Sequence, residues 1–366
     1  MLARLSRSFS TPISPTPLPL TVLFAGSSSD LGSSLIKALE RKAEATSQLI
    51  HLLTLSRTVQ PTHVTSSSHF TVSPLTWDGN TPPPLSSHPS LPSLTHVINL
   101  CGSNISASSI GPVRPWEQTG KIKELFDSRI SSTRGLVEWL ESNAGDLTEK
   151  KVQMINAGGV GIYGMDHTRD SHPSPPEDES LPLASDSRGG LLAEISRSWE
   201  AAATTSNPSK FPISVLRIAP VLLKAPSVFT APGVLKSLIP PFYFGVGGPV
   251  GSGNQLFPFI CERDFQRVVI DHIMSRGESG VYNLISPHVI SNTEFSLALA
   301  TALNRPCVIP LPGFVVKAAF GQMGEEVMMG GVTCRPGRLE REGFLFRDGR
   351  VEEAMEWAVG DLKYSN

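Results

Sequence analysis

The stretch TVLFAGSSSDLGSSL, Thr21–Leu35, has the pattern of a strand, a tight turn and the start of a helix. Its apolar run ends at Gly26, and Gly32 follows before an amphipathic segment. In a dinucleotide-binding turn one glycine allows the bend, a second lets the backbone approach phosphate, and a third lets the helix pack on the strand. Ser29 occupies the middle position here. The pattern indicates a degenerate phosphate-binding turn, or else an ordinary strand-turn-helix connection.

Ser29 adds a Cβ where the backbone would approach a phosphate, but its hydroxyl could donate to a phosphate oxygen at the helix N-terminus. The second predicted strand, Leu49–Leu55, is followed directly by Ser56 and Arg57, with no acidic residue nearby. An acid at this place usually binds the ribose hydroxyls of NAD, whereas an arginine pairs with the extra phosphate of NADP. These residues therefore favour NADP(H), although an exposed arginine after a strand also occurs without any ligand.

Short apolar runs alternate with helical segments beyond this unit, which predicts a parallel sheet with crossover helices. The predicted strands are Thr21–Ala25, Leu49–Leu55, Thr95–Leu100, Val152–Ala157 and Pro212–Ala219. The predicted helices are Leu31–Ala43, Trp116–Glu141, Leu191–Thr205 and Gly313–Met323. The proline-rich stretch Thr58–Pro92 is expected to be mainly surface loop, with a short strand near His69–Trp77 left open.

Composition excludes several classes of function. The net charge of -2 gives no basic footprint for nucleic acid, and no apolar run approaches the length of a membrane span. The four cysteines show no CxxC spacing, and the nine histidines show no HExxH spacing, so neither a disulfide framework nor a metal site is expected. The sequence also lacks the GxSxG elbow of hydrolases and the GxxxxGK[ST] loop of nucleotide hydrolases.

The first 20 residues have a different composition, with arginines, hydroxyl residues and no acid. Such a composition is typical of a mitochondrial presequence. A disordered proline-rich tail on a cytoplasmic protein is the alternative.

Several later segments resemble, in order, the atypical short-chain dehydrogenase/reductase family 39U, the YfcH-like epimerase-family proteins. The segments include VINLCGSNI (97–105), NAGGVGIYG (156–164), VLRIAPVLL (215–223) and GVGGPVGSGNQLFPFI (245–260). GRLEREGFLFRDGRVEEAMEW (337–357) is similar to the family's C-terminal DUF1731-type domain. The resemblance implies an α/β fold, an extended Rossmann-like doubly wound parallel sheet over 21–304, with a small, mostly helical domain over 305–360.

The resemblance also implies NADP(H) across the carboxyl ends of the strands. Its implied contacts are Gly26, Ser27, Ser28, Ser29, Asp30, Leu31, Gly32, Ser56, Arg57, Leu100, Cys101, Glu124, Arg129 and Val221. Without the family, strand-end packing would explain Leu100, Cys101 and Val221. A solvated helix surface would explain Glu124 and Arg129.

The catalytic positions depart from the wider superfamily, which uses a serine, a tyrosine acid/base and a lysine that lowers the tyrosine pKa. Gly159, Ser196 and Glu200 stand at these three positions. A serine is too weak an acid to replace the phenol, and a glutamate would oppose its deprotonation. Tyr163 is a weak substitute candidate, with a structural role as its alternative, and Asp170 and His172 are expected on a solvated loop.

Two functions therefore stay open from the sequence. The first is an NADP(H)-dependent oxidoreductase or epimerase acting on an unidentified small molecule, with a homodimer left open. The second is a catalytically silent NADP(H)-binding sensor or scaffold. The glycine-rich segment Gly245–Gly253 is expected to line the cleft, although a plain surface loop would also fit.

Overall fold

A computed structural model describes the chain over residues 17–57, 67–106, 114–147, 152–164, 168, 170, 177–180, 190–204 and 211–364. Most of the predicted presequence, residues 1–16, lies outside the described residues, as does His172. In the described portion, no helix is both long and apolar enough to cross a bilayer.

The strands are short and mostly apolar. They are β1 (Leu20–Ala25), β2 (Ile50–Ser56), β3 (Phe70–Thr76), β4 (His96–Asn99), β5 (Gln153–Gly159), β6 (Ile213–Ile218), β7 (Val221–Leu222), β8 (Ile260–Cys261) and β9 (Gly280–Leu284). Seven of them form a sheet in the order β3-β2-β1-β4-β5-β6-β9, and every neighbouring pair is parallel. The strands β7 and β8 form a separate parallel pair.

The helices flank the sheet and build the C-terminal part. They are α1 (Asp30–Thr46), α2 (Lys121–Ser142), α3 (Ala144–Leu147), α4 (Gly190–Thr204), α5 (Leu235–Tyr243), α6 (Glu262–Arg267), α7 (Met274–Arg276), α8 (Asn292–Ala302), α9 (Gly313–Met323), α10 (Gly337–Arg341) and α11 (Val351–Val359). The π-helical turns Val268–Ile273 and Gly324–Met328 follow α6 and α9.

The predicted parallel sheet is confirmed, with one difference in detail. The helix predicted from Trp116 begins at Lys121, because Gly120 adopts a left-handed φ of 82° that ends the preceding turn. Within the stretch expected to be mainly loop, the strand left open near His69–Trp77 is present as the edge strand β3, which includes Pro74 opposite Thr54. An edge strand tolerates proline because one of its sides needs no ladder hydrogen bonds.

The strand order reverses between β1 and β4, and this reversal places the site. From β1 the chain builds outward through β2 and β3, then returns to the other side of β1 with β4. In doubly wound sheets the crevice at such a reversal, beyond the carboxyl ends of the strands, is where ligands bind.

The apolar core continues across the predicted domain boundary at 304/305. Helix α11 shares one buried cluster with α5 and α8, in which Met355 and Ala358 lie with Leu299 and Ile239. The C-terminal part is therefore packed onto the larger unit through a shared core.

Candidate functional site

The turn after β1 lies against the end of β4. Gly26 has a φ of 89°, and a Cβ on it would lie 2.6 Å from the Leu100 carbonyl carbon and 2.9 Å from the Cys101 nitrogen. A Cβ on Gly32 would lie 2.2 Å from the Gly26 carbonyl oxygen. Both glycines are thus required by backbone contact, as a dinucleotide-binding turn requires of its first and third glycines.

Ser29 is the N-cap of α1. Its hydroxyl donates to the Gly26 carbonyl at 2.9 Å and accepts from the Gly32 N–H at 2.9 Å. We expected this hydroxyl to donate to phosphate, but in the structure its proton is directed to the turn itself. Ser29 therefore replaces the flexibility of a central glycine with a capping bond that fixes the turn.

Asp30 begins α1, but its carboxylate is held away from the turn. It accepts from the Gly233 N–H at 3.0 Å, which links α1 to the segment after β7. A carboxylate held by Gly233 leaves the backbone of the turn as the part suited to an anion.

Ser56 and Arg57 extend β2 past the turn, since Leu55 is in register with Ala25. The exposed Arg57 is near enough to Cys101 for its charge to favour the thiolate, but burial dominates and raises the pKa of Cys101 to about 12. Cys101 is consequently a neutral thiol at physiological pH. Arg57 thus places a positive charge near Cys101, and its contact with a cofactor phosphate stays a prediction.

Arg129 of α2 is buried beneath the loop after β4. Its guanidinium donates to the carbonyls of Ser103 and Leu125, each at 3.0 Å, and lies 5.2 Å from the Trp199 ring. Burial lowers its pKa to about 10. A buried position overturns the solvated-helix alternative for Arg129, whereas Glu124 is exposed and pairs with Lys121 at 3.2 Å.

Two asparagines on neighbouring strands, Asn99 at the end of β4 and Asn156 in the middle of β5, form a buried network that the sequence did not predict. Asn99 of β4 is in register with Asn156 of β5, and its amide donates to the Asn156 Oδ1 at 2.7 Å. The Thr133 hydroxyl accepts from Asn99 and from the Trp199 indole, both at 3.0 Å. The repeated pattern of asparagine after an apolar strand run could have predicted it. The network joins β4, β5, α2 and α4 directly below the crevice.

Residues at the superfamily's catalytic positions lie close together in space, but they lack the side chains of the usual proton relay. A Cβ on Gly159 would lie 3.1 Å from the Ser196 hydroxyl oxygen, so β5 and α4 meet where the serine and tyrosine would stand. The Ser196 hydroxyl donates to the Leu192 carbonyl at 2.8 Å within its own helix. Glu200 lies one turn further along the same helix.

Glu200 is paired with a buried arginine. Arg217 of β6 donates to the two Glu200 carboxylate oxygens at 2.8 and 2.7 Å and to the Tyr163 hydroxyl at 2.6 Å. The Tyr163 hydroxyl in turn donates to the Asn283 Oδ1 at 3.0 Å, and Asn283 Nδ2 donates to the Arg335 carbonyl at 2.9 Å.

The environment of Tyr163 argues for a structural role. Burial raises the pKa of its hydroxyl, against the opposing effects of Arg217 and Asn283. A buried phenol with a donor and an acceptor on its oxygen is poorly suited to release a proton near neutral pH. Sequence reasoning missed Arg217 and Asn283, although a charged or amide residue inside an apolar strand is a recognisable sign of a buried partner.

Comparison with known proteins places this geometry in a family. Residues 311–358 match DUF1731, a domain of unknown function. The epimerase family protein MT2273 of Mycobacterium tuberculosis is 34% identical over 72% of this chain and 78% of its own length. The chain belongs to this epimerase family. A chloroplastic SDR39U1 homolog of Arabidopsis thaliana is 30% identical over 71% of this chain and 67% of its own length.

The fold of this epimerase-family chain is also found in a solved relative. The crystal structure of human SDR39U1, isoform 2, with NADPH superposes with a TM-score of 0.72 and 25% identity. The match covers 94% of this chain and 100% of the human one. The seven-stranded sheet and the helical C-terminal part are thus shared with a protein whose structure includes NADPH.

Two further residues that the sequence singles out in this epimerase-family chain are Val221 and Asp170. Val221 is half-buried in β7, opposite Ile260, and packs against the main apolar cluster. Asp170 is exposed, as expected. Among the described residues, no group of three or more histidine, cysteine, aspartate or glutamate side chains could hold a metal ion.

The glycine-rich segment Gly245–Gly253 packs against the C-terminal part, and its role in lining the cleft stays a prediction. A Cβ on Gly248 would lie 2.3 Å from the Ile309 carbonyl oxygen, and the Leu311 N–H donates to the Pro249 carbonyl at 2.8 Å. Contact with the Ile309 carbonyl accounts for Gly248, and the Phe242 ring and the Thr293 side chain leave no room for a Cβ on Gly247 and Gly253. The segment is a packed connection to the C-terminal part.

Proposed function

We propose that the protein binds NADPH in the crevice between β1 and β4. The observation that carries this proposal is the Gly26–Gly32 turn, in which Gly26 lies against the end of β4 and Gly32 against the Gly26 carbonyl, with no room for a side chain at either position. Arg57 supplies a cation at the end of β2, where the phosphate of NADP is recognised in this type of fold. The NADPH of the human relative supports the same choice of cofactor.

In this proposal the chain's residues bind and orient the cofactor. The N-terminus of α1 binds the pyrophosphate through backbone N–H groups and the helix dipole, and Arg57 binds the ribose phosphate. The β4 end, with Leu100 and Cys101, forms the floor on which the cofactor lies. The bound group supplies hydride chemistry at its nicotinamide.

The reaction we propose is oxidoreduction or epimerisation of a small molecule without the superfamily's tyrosine–lysine proton relay. The groups at the relay positions are engaged internally: Ser196 with Leu192, and Glu200 with Arg217. The same contacts favour a second candidate, a protein that binds NADPH as a sensor or scaffold and transfers no hydride. Two assays separate these candidates. Incubation with NADPH and a panel of carbonyl compounds detects an oxidoreductase, which lowers the absorbance of the reduced nicotinamide. Incubation with NADP+ and a panel of chiral hydroxyl compounds, followed by chromatography, detects an epimerase, which inverts a centre without net consumption of the cofactor.

The cofactor proposal is tested by Arg57→Ala. Loss of a charged hydrogen bond to the phosphate should weaken NADPH binding by about 1.5–3 kcal/mol and leave NADH binding nearly unchanged. Isothermal titration calorimetry with both cofactors measures the two affinities. Arg134→Ala, which removes an exposed arginine from α2, is the matched control and should bind NADPH as the wild type does. Equal losses for NADPH and NADH would contradict the role of Arg57.

We also propose that residues 1–20 direct the protein to mitochondria. The support is their composition, which includes two arginines and several hydroxyl residues and no acid. The chloroplastic relative indicates that the family includes an organellar protein, in a different organelle. Fusion of residues 1–20 to a fluorescent protein tests the proposal, and a diffuse cytoplasmic distribution would contradict it.

A further inference from the structure

The first turn of α4 is capped from a distant part of the chain. The Glu326 carboxylate accepts from the Leu191 N–H and from the Leu192 N–H, each at 3.0 Å. The first N–H groups of a helix have no partner within the helix, and a negative charge there also complements the helix dipole. Glu326 belongs to the π-helical turn after α9, inside the segment that matches DUF1731.

The local geometry is built around this carboxylate. Gly190 begins α4 with a φ of 66°, and a Cβ on it would lie 2.4 Å from the Glu326 Oε1. Gln322 donates from Nε2 to the same oxygen at 2.8 Å and so orients the carboxylate. Gly190 has no side chain that could cap the helix, and the Glu326 carboxylate from another element caps it instead.

The apolar contacts around the cap bring the same elements together. A buried cluster contains Leu191 and Ile195 of α4, Met323 of α9, Leu125 of α2 and Trp116 of the turn before α2. Glu117 of that turn accepts from the Gln322 N–H at 3.2 Å. The segment from α9 to Met328 therefore joins α4 to the helix that carries Arg129.

The position of α4 determines one wall of the proposed cofactor site. The helix places Ser196 against Gly159 at the carboxyl end of β5, and it places Trp199 beneath Arg129. A shift of α4 along its axis would change both contacts. The residue that fixes its first turn consequently acts on the crevice through the helix.

We propose that Glu326 is a positioning residue, which couples docking of the DUF1731 segment to NADPH binding by fixing the N-terminus of α4. The inference rests on the proposed binding of NADPH. Through Glu326 the C-terminal segment affects the geometry of the cofactor site, although that segment contributes none of the predicted cofactor contacts. By thermodynamic reciprocity, bound NADPH should in turn stabilise the docked segment.

The test compares Glu326→Ala and Glu326→Gln with the wild type in the full-length protein. We expect Glu326→Ala to weaken NADPH binding about fivefold, and Glu326→Gln to weaken it less because its amide oxygen still accepts from one N–H. Fluorescence titration of NADPH gives the affinities, and the emission spectrum of the bound nicotinamide reports its surroundings. Glu325→Gln is the matched control, because Glu325 is the neighbouring residue and its partner is the exposed Lys317.

Hydrogen exchange separates positioning from mere stability. NADPH should slow exchange of the amides in residues 313–329 of the wild type, and Glu326→Ala should abolish this effect. If the cap only added stability, its loss in Glu326→Ala would lower the melting temperature. The affinity for NADPH and the emission of bound NADPH would then stay unchanged, because the variant is still folded at the assay temperature.

The outcomes distinguish this inference from the proposed function. If the wild type binds NADPH, and Glu326→Ala binds it equally tightly with the same protection of 313–329, the coupling is wrong and the cofactor assignment stands. If the wild type does not bind NADPH at all, both are wrong.

Discussion

The two walls of the crevice keep different parts of the superfamily's design. At the β1–α1 wall the backbone geometry and two glycines are retained, and Ser29 adds a capping bond. At the β5–α4 wall the close approach of Gly159 to Ser196 is retained, but the side chains carry none of the usual proton-relay chemistry. Where two backbone segments are in contact, as at the first turn, only glycine fits. A side chain of the proton relay can be replaced, provided that the new polar group finds hydrogen-bond partners nearby.

The difference has an electrostatic counterpart. In the wider superfamily, a lysine on the helix equivalent to α4 contributes a positive charge beside the catalytic tyrosine. Here Glu200 takes that place, and the positive charge comes from Arg217 on β6, which pairs with both carboxylate oxygens. The ion pair is nearly closed to solvent, with side-chain exposures of 4% and 15%. The α4 wall has thus become an internally neutral structural unit.

The largest effect is expected for Arg217→Met. Removal of one partner from a buried ion pair leaves Glu200 uncompensated, so the free energy of unfolding should fall by about 3–5 kcal/mol. Urea denaturation measures the loss. NADPH affinity of the folded fraction should fall less than in Glu326→Ala, because Arg217 bonds to Glu200 and Tyr163 while Glu326 still caps the first turn of α4.

The double variant Arg217→Met, Glu200→Met is the control for this prediction. Replacement of both charges by apolar groups of similar volume is often neutral, so it should recover most of the lost stability. If Arg217→Met instead abolished NADPH binding in a stably folded protein, the division between the two walls would be wrong.

A smaller loss of stability is expected for Gly32→Ala, with a different functional result. The added methyl would lie 2.2 Å from the Gly26 carbonyl oxygen, and α1 would have to move away from the turn. Overpacking of this kind costs about 1–3 kcal/mol. NADPH affinity should fall sharply, because the displaced helix N-terminus no longer faces the pyrophosphate.

Gly145→Ala is the matched control for Gly32→Ala. Gly145 lies in α3, and a Cβ there meets nothing within 4 Å. It should leave NADPH binding unchanged and slightly raise stability, because alanine favours helix. Equal NADPH affinity in Gly32→Ala and the wild type would contradict the role of the turn.

The same contrast explains what could be predicted from the sequence. The strands β1, β2, β4, β5 and β6 were located to within a few residues because buried parallel strands are continuous apolar runs. The glycines of the first turn were located because their spacing after an apolar strand is a local pattern, although the contact that requires Gly26 comes from Leu100 and Cys101. The partners of Tyr163 were missed: Arg217 is 54 residues away and Asn283 is 120 residues away along the chain. Contacts between distant strands depend on the register of the sheet, which no local pattern specifies.

The smallest effect concerns the far end of the same polar network and appears as a dependence on pH. Glu179 is partly buried beside β9, and its carboxylate accepts from the Asn283 N–H at 2.7 Å and from the Arg338 N–H at 3.0 Å. Burial, aided by the nearby charge of Asp178, raises its pKa above the ordinary value of 4.5, in spite of these N–H donors.

The direction of the pH effect follows from proton linkage. Above pH 4.5 the unfolded chain ionises Glu179 while the folded protein still holds its proton, so the folded state binds more protons. The contribution of Glu179 to stability should therefore fall as pH rises from this value through the folded pKa, and be constant above it. Urea denaturation across this range should show the decline in the wild type and in Glu177→Gln, but not in Glu179→Gln. A constant offset between the wild type and Glu179→Gln at every pH would mean that the N–H donors cancel the effect of burial, so that the pKa of Glu179 is the same in the folded and unfolded states.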